Sequence, residues 1–153
     1  MPERVSLKRR LIVPLGLLAL AGCSGGGHSA GPVPGDPGDQ RPYSGIAESE
    51  TAHFTGTEPF WGGNVVGDTL VYSTPDNAAG STIAVERFAG RGGLSWHGIY
   101  RGQPFVLAVT PGKCSDGMSD RTYPYVATLS VEGTQRNGCA WTDRQPFSGP
   151  SEP

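Results

Sequence analysis

The chain has 153 residues, of which 24 are Gly and 14 Pro, with 17% charged side chains and a formal net charge of -2. That leaves room for one small domain, and the low charge fraction excludes a nucleic-acid binder or a charged coiled coil. Three cysteines are too few for a disulfide-dense scaffold.

Residues 1–22 read as a removable export signal. Arg4, Lys8, Arg9 and Arg10 form a basic cluster, and the apolar run Leu11 to Leu20 follows it. This run is about half the length needed to cross a bilayer, and it contains Pro14. Leu20-Ala21-Gly22-Cys23 resembles the bacterial lipobox, which implies cleavage before Cys23 and acylation of its thiol and new amine. Two or three acyl chains anchor a protein stably where one does not. Ser24 rather than Asp follows the cysteine, which by the same resemblance implies the outer membrane, with the domain in the periplasm or at the cell surface. The membrane is thus an expected partner through the lipid.

Residues 23–50 are expected to be a Gly/Pro/Ser tether around the lipidated Cys23, too polar to offset its ordering entropy. As a flexible chain it would hold the domain about 30 Å from the lipid. The tail, residues 146–153, is expected to be loose. Between them, residues 51–145 alternate with period two, and no window offers an amphipathic helix. The expected strands are Phe60 to Val66, Leu70 to Ser73, Thr82 to Ala89, Leu94 to Arg101, one through Phe105, Leu107 and Val109, Thr122 to Val131, and Thr134 to Trp141. Residues 75–80 are expected to be a loop. About seven short strands with tight turns predict an all-β antiparallel meander, closed or partly closed as a barrel, because closure removes exposed edges.

With Cys23 assigned to lipid, Cys114 and Cys139 remain as a pair in an oxidising compartment, and a disulfide is expected. If Glu132-Gly133 centres a two-residue hairpin, Cys139 faces Val126. The bridge then has to draw the loop from Pro111 to Asp120 back against the last strand. Two cysteines with no histidine nearby make a poor zinc site.

The densest polar segment is Cys114-Ser-Asp-Gly-Met-Ser-Asp-Arg121. Asp116-Gly117 favours a turn, and Asp120 is expected to accept backbone amides at the strand entry with Arg121 pairing across it. A self-bonded loop, a calcium site on Asp116, Asp120 and Ser115, and a binding surface formed with Met118 are the open readings. The spacing lacks the alternating oxygen ligands of an EF-hand. The second segment is Gly56-Thr-Glu-Pro-Phe-Trp61. Of Phe60 and Trp61, one should enter the core and the other remain a contact residue. Glu58 would be a candidate acid if buried against the aromatics, or would otherwise pair with an arginine such as Arg121. No nucleophile elbow, HExxH or phosphate loop is present. The expectation is therefore a non-enzyme with no catalytic residues, no cofactor and no bound metal. Residues 51–145 carry seven basic and eight acidic side chains, so no basic field is offered to nucleic acid.

With GTEPFW, CSDGMSDRTYPY and GCA in view, the chain resembles a group of uncharacterised proteobacterial envelope proteins, many of them lipoproteins, to which no reaction is assigned. The resemblance spans Gly56 to Ala140 and implies that Cys114, Asp116, Gly117, Met118, Asp120, Arg121 and Cys139 are family hallmarks. The architecture is more distantly similar to META-type lipoproteins and to membrane-bound lysozyme inhibitors, but no match to the inhibitory Ser- and Lys-bearing loop is found. The expected function is a lipid-anchored binding module for an envelope protein or glycan. The candidate surface is Glu58, Phe60, Trp61, Asp116, Met118, Asp120 and Arg121. The alternatives are a small-ligand or metal-binding barrel and a hydrolase inhibitor.

Overall fold

Apolar residues at alternate positions place one face of each strand inward, and the turns between them are too short for anything but antiparallel neighbours. The computed structural model describes residues 40–150. The expected export signal, Cys23 and the expected spacer up to residue 39 lie outside the described residues. Eight strands follow in chain order: β1 (Ala52–Thr57), β2 (Phe60–Val66), β3 (Thr69–Thr74), β4 (Asn77–Ala89), β5 (Leu94–Tyr100), β6 (Gln103–Cys114), β7 (Tyr123–Val131) and β8 (Thr134–Thr142). Each pairs with the next, and β1 pairs with β8, so the meander closes into a barrel.

The expected all-β meander is therefore present, with one strand more than the seven read from sequence. The additional strand is β1, whose inward residues Ala52, Phe54 and Gly56 include two small ones and give a weak apolar signal. β4 also begins earlier than expected. Thr74 pairs with Asn77, so residues 75–76 are a hairpin turn rather than part of a long loop.

Two hairpins have the conformation their sequences demand. Glu132 and Gly133 have φ of 49° and 73°, and Arg101 and Gly102 have 50° and 77°. Positive φ at both central residues matches the right-handed twist of the flanking strands. The first turn sets the register in which Val126 faces Cys139, as expected.

The interior is filled by Phe54, Leu70, Phe105, Leu107, Val109, Ala127, Leu129 and Val131, none more than 1% exposed. Leu94, Trp96 and Tyr100 of β5, Phe105, Leu107 and Val109 of β6, and alternate residues from Tyr123 to Val131 of β7 are buried. Trp61 enters the core and Phe60 stays outside at 54% exposure.

Two segments depart from the expected boundaries because they pack. Ile46 belongs to the core at 1% exposure, and Tyr43 rests against it. Arg87 donates to the Ile46 carbonyl at 2.9 Å, and Tyr43 N donates to the Gly90 carbonyl at 2.7 Å. Glu50, buried, accepts from Ala47 N at 3.2 Å and lies 3.7 Å from the Arg144 guanidinium. Burial opposes the charge of Glu50, but the Thr142 hydroxyl, the Ala47 amide and Arg144 together hold its carboxyl below the usual value. The packed domain thus begins before Thr51. It also extends past Gln145: Phe147 packs against Tyr123 and Trp141, and Ser148 bridges Thr122.

Candidate functional site

The disulfide joins Cys114 to Cys139 with Cα atoms 5.6 Å apart, inside the range a bridge can span. Its position follows from the ladders. Ordinary β6–β7 pairing stops at Pro111↔Tyr125, and a bulge carries the strand to Cys114 opposite Tyr123. The β1–β8 ladder is short, running from Ala52↔Thr142 to Thr55↔Cys139. The bridge therefore sits at the last rung of the closing seam and fixes residues 115–121 beside β1 and β8.

Inside that loop one carboxylate does the organising. Asp116 Oδ1 accepts from Met118 N at 3.0 Å and Ser119 N at 2.8 Å, while Oδ2 accepts from Ser119 Oγ at 2.7 Å and Tyr123 Oη at 3.1 Å. Burial works against the charge, but the Ser119, Met118 and Tyr123 donors outweigh it and hold the Asp116 carboxyl down to about 2. Asp116 thus takes the amide-accepting role expected of Asp120, which is exposed. It can do so because the turn after Asp116 closes through Gly117, whose φ is 73°. Arg121 likewise does not pair with Asp120 or Glu58. Its Nε donates to the Pro150 carbonyl at 2.9 Å, and its guanidinium lies 4.6 Å from the Phe147 ring centre. The C-terminal segment, expected to be loose, is what supplies those partners.

The two segments singled out by sequence come together. Thr57 Oγ1 donates to the Asp116 carbonyl at 3.2 Å, and Phe60 is directly across the hairpin from Thr57. Glu58 and Pro59 form the exposed turn between them. Phe60 at 54% and Met118 at 69% exposure flank this junction. Beside Phe60 runs a groove of about 350 Å³ lined by Gly62, Ser73, Thr74, Pro75 and Ala78. Trp61, itself buried, also lines it. Glu58 is in solvent rather than buried against aromatics, which removes the burial that would make it an acid. Among the described residues no group of three or more His, Cys, Asp or Glu side chains is placed to hold a metal ion.

Trp96 and Tyr125 belong to the core and line no ligand cavity among the described residues. Tyr123 is buried outside that cluster against Trp141 and Phe147. Sequence reasoning missed Thr57, which connects hairpin and loop, and a polar pair at the opposite wall, Arg136 and Tyr72. The signal for Arg136 was available: it falls in phase with Gly138, Ala140 and Thr142, on the face that turns inward.

No known protein family, curated protein or solved structure matches the chain.

Proposed function

We propose that the chain is a lipid-anchored protein of the bacterial cell envelope that acts as a non-enzymatic binding module. Its contact surface is the 115–121 loop together with Glu58 and Phe60. The observation that carries this reading is the junction at Thr57. It joins a disulfide-pinned loop to a hairpin that leaves Phe60 and Met118, two large apolar side chains, in solvent. Exposed apolar side chains held on rigid backbone lose little entropy on association, which is what a contact surface requires. The anchor rests on the lipobox resemblance at Cys23, and the partner is an envelope protein or glycan.

The test has two arms. Labelling with a palmitate analogue is expected to mark the wild-type chain and not C23S; label in both, or in neither, overturns the anchor. A photo-crosslinking residue at position 60 or 118 in cells is expected to give a discrete adduct that position 106, on the outer wall of β6, does not. Equal products at all three positions, or none, overturn the surface.

A further inference from the structure

The strand ends opposite the chain termini form a second polar region, which shares the Glu58-Pro59 turn with the surface proposed above but is built on other side chains. Here the turns are Glu58-Pro59, Pro75-Asp76, Arg101-Gly102 and Glu132-Gly133. Leu129, which is fully buried, faces Arg136 across the β7–β8 ladder, so Arg136 also points inward. Its guanidinium crosses the barrel end to β3, where Nη1 donates to Tyr72 Oη at 3.0 Å.

That is the one hydrogen bond Arg136 makes among the described residues, and no described carboxylate pairs with it. Its Nε is buried without a partner. A guanidinium has five donors in a fixed fork, and one half-buried with its Nε out of water is ordinarily matched by a carboxylate. The acid nearest in sequence, Glu132, is instead 3.6 Å from Arg101. A buried indole packs further along the same face. Trp61 Nε1 is buried with no acceptor, and the indole edge lies against Gly56 and Gly138 so closely that a Cβ at either would collide with it. Gly138 is two residues from Arg136 on the same inward face. The remaining polar group there, Tyr72, is held in its neutral form: burial raises its hydroxyl, and this outweighs the opposing pull of Arg136. A neutral hydroxyl accepts from Arg136 and keeps a proton to donate.

We propose that this end of the barrel binds a small oxyanion, the carboxylate or phosphate group of a free small molecule, on the Arg136 guanidinium with the Tyr72 hydroxyl. The guanidinium without a carboxylate partner and the neutral phenol bonded to it favour negative charge at this end of the barrel, where the nearby Glu132 is drawn to Arg101 instead. The filled interior below restricts the site to the rim, so the anion rather than an apolar body is what it recognises.

The test is a titration of the purified, oxidised chain followed by 15N NMR on the indole and arginine Nε–H signals. The probes are sodium acetate and inorganic phosphate, each at constant ionic strength with chloride as the balance. The expected result is a saturable displacement of the Trp61 indole and Arg136 Nε–H resonances, with the Trp96 indole, buried elsewhere in the core, unmoved. The stronger probe tells carboxylate from phosphate. In R136Q, affinity is expected to fall at least tenfold; should that variant lose its dispersed spectrum, R136K, which keeps the charge and loses the fork, replaces it. Absence of saturation with both probes, equal movement of all three indoles, or full affinity in the folded variant each overturns the site.

Discussion

Replacing Ile46 by Ala separates a spacer from a structural element. Ile46 lies outside every strand, yet it is 1% exposed and its carbonyl takes a hydrogen bond from Arg87. In a tether, the substitution would cost nothing measurable. In a plug, it removes three buried carbons and leaves a void that neighbours in closed ladders fill only in part, which costs about 3 kcal/mol. For a domain of this size that corresponds to a fall of about 15 °C in Tm. The assay is urea unfolding of the oxidised chain followed by tryptophan fluorescence, with wild type and variant in parallel. The midpoint is expected to fall at unchanged slope, because the surface exposed on unfolding hardly changes. A loss below about 0.5 kcal/mol, within the ordinary range for surface substitutions, would refute the reasoning and return residues 41–50 to the spacer.

Two further outcomes follow from the loop. Converting Cys114 and Cys139 to Ser opens a 25-residue separation and is expected to cost about 3.5 kcal/mol on the chain-entropy account, read as a drop in Tm that dithiothreitol reproduces in the wild type; a drop equivalent to under about 1 kcal/mol sinks it. Asp116 gives a pH dependence of definite sign. Its folded carboxyl sits at about 2, below the ordinary 3.8, so its contribution is complete above the unfolded value and is lost as pH falls through that window. D116N is expected to cost about 1–2 kcal/mol at neutral pH, since an amide nitrogen cannot accept from Ser119 and Tyr123. The gap between variant and wild type should narrow toward pH 2. A gap that stays constant with pH would show that the carboxylate charge is not what the loop uses.

Legibility in the sequence followed the density of apolar alternation. Tyr123, Tyr125, Ala127, Leu129 and Val131 read as one buried face because five inward positions in succession are apolar. β1 did not, since Ala52 and Gly56 are as common in loops as in strands. The start of β4 was hidden because Asn77 and Gly80 belong to turns by propensity, and here the β3 ladder overrides that preference. Ile46 and Phe147 are isolated apolar residues among Gly, Pro and Ser. No period betrays a single side chain that packs alone, and only the tertiary structure reveals what it covers. Within the loop, Asp116 and Asp120 have the same side chain, and only the backbone that follows each distinguishes them. Asp116 precedes a Gly that can turn the chain back, so its carboxylate meets the amides of residues 118 and 119, whereas Asp120 lies where the chain straightens toward β7.

The described chain enters and leaves the barrel at the same rim, where Gln145 Nε2 donates to the Gly45 carbonyl at 3.0 Å. That shared rim gives the molecule a mechanical polarity. A force drawing residue 40 away from residue 150 meets the Tyr43–Gly90 and Arg121–Pro150 contacts and the Thr122–Ser148 bridge first, then the Gln145 contact, and then the short β1–β8 ladder from its Ala52↔Thr142 rung. The rungs are loaded one after another, as in a zipper, rather than together in shear. The disulfide does not interrupt this sequence, because it ties β8 to the end of β6 and leaves β1 covalently free of its neighbour. Once the Tyr43 and Ile46 contacts have given way, a pull from the N-terminal side therefore acts on the seam where the first strand meets the last.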